Sequence, residues 1–264
     1  MDLFDNEKEI LSLFQSIQLS EMALIPEDES VERILQSIHK PQSWTSWIDS
    51  SAHNAPPPDF YNAVDGVMMD VMRVDDHGYK NKKGKTVNPT RQRDSQLMME
   101  LEAAGIRDMF PNAKVLLLSD TQLSTHEDHN YQFYLDNFVD TIESHKKKIA
   151  LYQKNHPGYK VIFFVFDESS MYFSANKSYK DNPKVGSMVC GTPHFWFADV
   201  AFLKVIFNSE IDFLIWFTPY KHSNMYDDKG NLCKFPQVVV IRPKDFPKDM
   251  LCHYDKKHMM STEV

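Results

Sequence analysis

The run Val161-Ile162-Phe163-Phe164-Val165-Phe166, closed at once by Asp167-Glu168-Ser169-Ser170, constrains this chain more than any other stretch. Consecutive β-branched and aromatic residues fit a strand covered on both faces. A buried strand that empties into carboxylates and hydroxyls is where an α/β protein places its chemistry. Apolar stripes at helical spacing lie on either side of it: Tyr131, Leu135, Phe138, Ile142, Ile149 and Tyr152 before it, and the dense run Phe195 to Phe207 after it.

Further strands are expected at Val64–Val74, with Asp70 as a polar island between two apolar faces, and at Lys114–Ser119, running into Asp120. Ile211–Phe217, ending in Thr218-Pro219-Tyr220-Lys221-His222, and Val238–Ile241 read the same way. Alternation with crossovers long enough for helices predicts a mainly parallel or mixed central sheet flanked by helices, that is, an α/β fold. Gln92–Ala104 is expected as a helix capped by Gly105. Thr125 and Asp128 form a candidate capping box for one long helix reaching Asn155, and His126 and His129 are read as part of that helix start.

Ahead of this core, Ile10, Leu11, Phe14 and Ile17, then Val31, Ile34, Leu35 and Ile38, mark two amphipathic helices. Pro56-Pro57-Pro58 and the polar setting of Trp44 and Trp47 suggest a boundary near residue 50. The predicted organisation is an N-terminal helical arm over 1–50, an α/β core over 51–247, and a polar, partly disordered tail over 248–264. The segment 176–193 is expected as a surface loop or flap.

Only 8 glycines in 264 residues argue against a glycine-rich nucleotide cradle. Three scattered cysteines give neither a disulfide framework nor a zinc ribbon. No apolar run approaches the roughly 18 residues a membrane span needs, so a cytoplasmic protein with no membrane partner is expected. The net charge of −8 speaks against a surface that grips nucleic acid everywhere. Against that background Lys80, Lys82, Lys83, Lys85, Arg91 and Arg93 occur with no acid among them, a local phosphate grip.

Reading the strand ends together gathers Asp120, Asp167, Glu168 and Lys221, with Asp75, Asp76 and His77 joining if their strand has the same polarity. Converging carboxylates repel each other unless a cation lies between them, and oxygen ligands suit magnesium or manganese. The expected chemistry is phosphoester hydrolysis on nucleic acid or a nucleotide. In it Asp120, Asp167 and Glu168 hold the metal, Asp70, Glu168 and Lys221 assist catalysis, and Lys82, Lys83, Lys85, Arg91 and Arg93 bind phosphate. Removing Asp167 and Glu168 together is then expected to abolish metal-dependent cleavage and leave the fold intact. The alternative is a non-catalytic binding protein that captures a nucleotide or docks on a protein partner through the N-terminal helices and exposed Trp44 and Trp47. Each of Asp75, Asp120 and Asp167 also fits a turn-forming role, and the basic loop a solvated hairpin.

The pairing of mid-strand Asp70 with a strand ending in Asp167-Glu168 resembles the PD-(D/E)xK nuclease pattern, in which two acids hold a metal and a lysine assists. Ser170 stands where that pattern has its lysine, and the resemblance implies that Lys221 substitutes for it.

Overall fold

The computed structural model describes residues 7–50, 58–83, 85–109, 129–176, 191–221, 232 and 235–262. In chain order the first half supplies α1 (Glu7–Ser16), β1 (Met22–Ile25), α2 (Glu29–His39), α3 (Pro41–Trp44), β2 (Trp47–Asp49), β3 (Phe60–Asn62), β4 (Val67–Val74), β5 (Tyr79–Lys80), β6 (Thr86–Val87), α4 (Pro89–Ala103) and α5 (Ile106–Met109). The second half supplies α6 (Tyr131–Lys146), α7 (Ile149–Asn155), β7 (Lys160–Asp167), β8 (Tyr172–Ala175), β9 (Gly191–Pro193), α8 (Val200–Leu203), β10 (Phe213–Phe217), β11 (Val238–Ile241) and β12 (Met259–Ser261).

Seven strands form one mixed sheet in the order β1-β11-β10-β7-β4-β3-β2. β7 lies between β10 and β4, and all three run parallel. The direction reverses at β11 on one side and at β3 on the other. The fold is therefore α/β, with a parallel centre in a mixed sheet and helices on both faces. β7 is buried along its whole length after Lys160, as expected of its unbroken apolar run.

Side chains alternate across the sheet and divide the core in two. Met68, Met72, Val74, Val161, Phe163, Val165, Leu214 and Trp216 pack with α6, α7 and α8. Val67, Met69, Val71, Ile162, Phe164, Phe166, Phe213 and Ile215 pack with Ile10, Leu11, Phe14, Val31, Ile34, Leu35 and Ile38 of α1 and α2. The N-terminal helices thus bury their apolar stripes on the sheet, and β1 and β2 from the same region are its two edge strands.

Trp44 and Trp47 do not form an exposed surface. Trp47 is buried and donates its indole N–H to the Ser37 carbonyl at 2.9 Å, and Trp44 stacks on it with ring centroids 5.3 Å apart. A short strand beside a three-residue partner supplies the apolar cover that the flanking prolines and serines conceal in the sequence. The expected buried helix over Phe195–Phe207 resolves into a 3-10 turn at Trp196–Ala198 and the single turn α8. The long helix before β7 is broken at Lys147–Lys148 into α6 and α7. In the polar tail, residues 259–261 pair with β8 as β12, and the Thr262 N–H bonds to the Met171 carbonyl at 2.8 Å. Among the described residues no helix is long and apolar enough to cross a membrane.

Candidate metal centre at the carboxyl ends of the parallel strands

β4, β7 and β10 end side by side, and the residues that follow them form the polar centre of the molecule. After β4 the Asp75 carboxylate accepts the N–H groups of His77 and Gly78, both at 3.3 Å, and turns the chain. Asp76 continues the parity of Met72 and Val74 and enters the side covered by α6. It is fully buried. One of its oxygens, Oδ2, accepts three donors: the Ser170 N–H at 3.0 Å, the Ser170 hydroxyl at 2.6 Å and the Tyr172 hydroxyl at 2.7 Å.

The other oxygen, Oδ1, faces two imidazoles, 3.3 Å from His129 Nδ1 and 3.6 Å from His77 Nε2. His129 is placed by the start of α6. Asn130 caps that helix by accepting the N–H groups of Gln132 and Phe133 at 2.8 and 3.3 Å, so the residue before the cap lands against the end of β4. The three ligand-type atoms of Asp76, His77 and His129 lie within 4.8 Å of one another.

The contacts of Oδ1 with the two imidazoles are long for charge-assisted pairs and near the spacing of metal ligands. Charge-assisted hydrogen bonds run about 2.7–2.9 Å, shorter than either contact to Oδ1. Ligands at about 2.0–2.1 Å from a tetrahedral ion sit roughly 3.3–3.4 Å from each other, close to the 3.3 and 3.6 Å from Asp76 Oδ1 to His129 and His77. Burial raises the Asp76 carboxyl, but the hydrogen bond with His129, the charges His77 and His129 can carry and the Ser170 hydroxyl outweigh it, so the group stays well below the usual carboxylate range. An ionised, buried carboxylate beside two imidazoles is a fitting donor set for a divalent ion. Imidazole ligands favour zinc, copper, iron or nickel over magnesium, which like manganese prefers oxygen.

The other residues expected at the site are placed as follows. Asp167 and Lys221 do meet, at 3.5 Å, but inside a saturated hub. Asp167 Oδ1 accepts the Ser169 N–H at 2.9 Å and the Ser169 hydroxyl at 2.6 Å, and Oδ2 accepts the Tyr134 hydroxyl at 2.5 Å and the Trp216 indole at 2.8 Å. These donors occupy the four acceptor positions of a carboxylate. Lys221 donates to the Ser169 carbonyl and hydroxyl and to the Ser170 carbonyl, and its ammonium lies 4.5 Å from the centre of the Tyr134 ring. Glu168 is half-buried on the turn after β7, where its charge adds to burial in raising the Tyr220 phenol.

Lys82, Lys83 and Lys85 are exposed on the β5–β6 hairpin. Its base is fastened to the site, because the Asn88 amide donates to Asp75 Oδ2 at 3.2 Å. Arg91 lies in α4, as does Arg93, which approaches Glu100 at 3.8 Å. Asp120, the expected strand at 114–119, the capping box at Thr125 and Asp128, His126, His222 and most of the segment 176–193 lie outside the described residues.

Asp70 stands apart. It pairs in register with Phe163, whereas Asp167 pairs with Val74, four residues or about 13 Å further along the strand. That offset separates the two acids of the PD-(D/E)xK-like reading. Asp70 instead accepts the Tyr152 hydroxyl at 2.5 Å and contacts His145 Nδ1. Burial pushes its carboxyl up, but His145 and the Tyr152 hydroxyl outweigh this and hold it below the usual range.

Its neighbour Asp59 bonds to the Val71 N–H at 2.8 Å and is pushed up to about 7 by burial and by the Asp70 charge. The folded chain therefore keeps a proton on Asp59 that the unfolded chain releases near pH 4. The contribution of Asp59 to stability falls as pH rises from about 4 to 7 and levels off above that. Asp59→Asn is expected to leave the thermal midpoint unchanged at pH 4 and to stabilise the protein by about 2 kcal/mol at pH 8. Equal midpoints for the two proteins at both pH values would refute this assignment.

No protein-family model, curated protein or solved structure matches this chain. The chemistry of the site is therefore read from its own residues.

Proposed function

We propose that the chain is a divalent-metal-dependent phosphoester hydrolase of the cytoplasm that acts on nucleic acid or nucleotides. The observation that carries this reading is Asp76, His77 and His129 gathered at the carboxyl ends of parallel strands, with a lysine-rich hairpin rooted on the adjacent residue. A divalent ion bound there supplies a hydroxide nucleophile near neutral pH and polarises a phosphoryl oxygen. His77 and His129 are each about four-fifths buried, so both rings keep an edge toward solvent where a substrate can approach. Lys82, Lys83 and Lys85 offer point charges for phosphate, and Asp75 holds their hairpin next to the site.

The test is hydrolysis of bis(p-nitrophenyl) phosphate, single- and double-stranded DNA and RNA, and nucleoside triphosphates, each with magnesium, manganese, cobalt or zinc. Cleavage is expected with manganese, cobalt or zinc, and it should drop by at least about 100-fold in His129→Ala. Reversing the charges of Lys82, Lys83 and Lys85 together should raise KM for nucleic acid and leave bis(p-nitrophenyl) phosphate unaffected. Absence of cleavage with every metal and substrate would overturn the proposal.

A further inference from the structure

Asp76 offers its two oxygens unequally. Oδ2 is fixed by three donors, and Ser170 has a further partner: its hydroxyl lies 2.9 Å from that of Ser261 on β12. The single Ser170 proton is committed to the ionised carboxylate, which only accepts, so the Ser261 hydroxyl is the donor of that pair. Tyr172 is held in turn by Tyr134, whose ring stacks on it at 5.8 Å with an interplanar angle of 7°. Every part of this clamp is buried. Swinging the carboxylate so that both oxygens face the imidazoles would break three hydrogen bonds in a water-poor interior.

We infer that Ser170 and Tyr172, with Ser261 behind them, are positioning residues that restrict Asp76 to ligation through Oδ1 alone and thereby select which divalent ion the centre accepts. The inference rests on the reading of Asp76, His77 and His129 as a metal site. A single carboxylate oxygen with two imidazoles leaves a small, low-coordinate centre that suits zinc or cobalt. Calcium needs six to eight oxygens; two imidazoles already disfavour it, and the clamp withholds the second Asp76 oxygen that could help to make up the number.

Cobalt titration of the purified protein, followed by its visible absorption, measures both affinity and coordination, and competition with zinc and calcium gives selectivity. Wild type should bind cobalt with an intense low-coordinate spectrum and be indifferent to calcium. Ser170→Ala and Tyr172→Phe should each weaken cobalt binding by about 10- to 100-fold, shift the absorption band and reduce the preference over calcium. Ser170→Thr, which keeps the hydroxyl, should restore both affinity and spectrum. Tyr172→Phe keeps the ring stack, so it reports on the hydroxyl even if Ser170→Ala folds poorly. Wild-type protein that binds neither cobalt nor zinc would overturn the metal centre itself. Wild type that binds, with variants matching it in affinity, spectrum and selectivity, would overturn the clamp and leave the centre standing.

Discussion

Asp167→Ala is expected to lower the free energy of unfolding by about 3–5 kcal/mol, read as a fall in the urea midpoint at unchanged slope. The carboxylate is fully buried and accepts from Ser169, Tyr134 and Trp216, with the Lys221 ammonium 3.5 Å away. Alanine leaves a buried cation without its counter-charge and strips the Tyr134 hydroxyl and Trp216 indole of their acceptor. Burial and the Asp167 charge and hydrogen bond raise the Tyr134 phenol far above its ordinary value, so that hydroxyl stays protonated and needs the acceptor. The same loss should appear with and without chelator, because the effect does not depend on a bound ion. Asp167→Asn keeps one acceptor oxygen but sets its NH2 against two donors and still removes the counter-charge of Lys221, so it should destabilise as well. A loss below about 0.5 kcal/mol for Asp167→Ala would contradict the hub, and a loss seen only in the presence of metal would return Asp167 to the ligand role its sequence position suggests.

The second large effect belongs to the metal centre. At a free zinc, cobalt or manganese concentration near 100 times its dissociation constant, binding to the native state adds about 2.7 kcal/mol, roughly 5–10 °C of thermal midpoint for a chain of this size. His129→Ala should abolish that shift and should also lower the midpoint somewhat in chelator, because the buried Asp76 carboxylate loses one of its two imidazole partners. Asp76→Asn should abolish it as well, and should also destabilise the metal-free protein because the amide meets three hydrogen-bond donors. An unchanged wild-type midpoint across all three metals would reduce the cluster to a carboxylate flanked by imidazoles and remove the basis of the proposed hydrolysis.

Much of the fold was legible because its central strands are long and apolar. β4, β7 and β10 each announce themselves, and their common direction follows from the helices between them. β1, β2 and β3 were not legible: MALI, WID and FYN are too short for alternation to emerge, and β1 stands between two helices. Phe195–Phe207 misled because apolar density sets burial and not helicity; there the chain is buried in single turns. The sequence pointed to the carboxyl ends of the parallel strands, where Asp76, His77 and His129 gather, and to Asp167 and Lys221, which are fully occupied in holding that end of the sheet together. Asp76 joins that end only on the condition that its strand shares the common polarity, and the metal is assigned to the more conspicuous Asp120, Asp167 and Glu168, although strand parity places Asp76 on the same side as Val74. His129 was absorbed into a capping pattern that Asn130 fulfils, and nothing local relates position 129 to position 77.

The clamp on Asp76 also fixes when the centre comes into being. Its parts come from position 76, from 170 and 172 beyond the middle of the chain, and from β12 at 259–261. An ion that meets the chain during synthesis finds Asp76 beside His77 but neither the second imidazole nor the donors that orient the carboxylate. Contacts so distant in sequence form late and slowly. On the proposed reading, an ion would meet the full donor set and the oriented carboxylate only in chains whose sheet has closed and whose strand β12 has docked on β8.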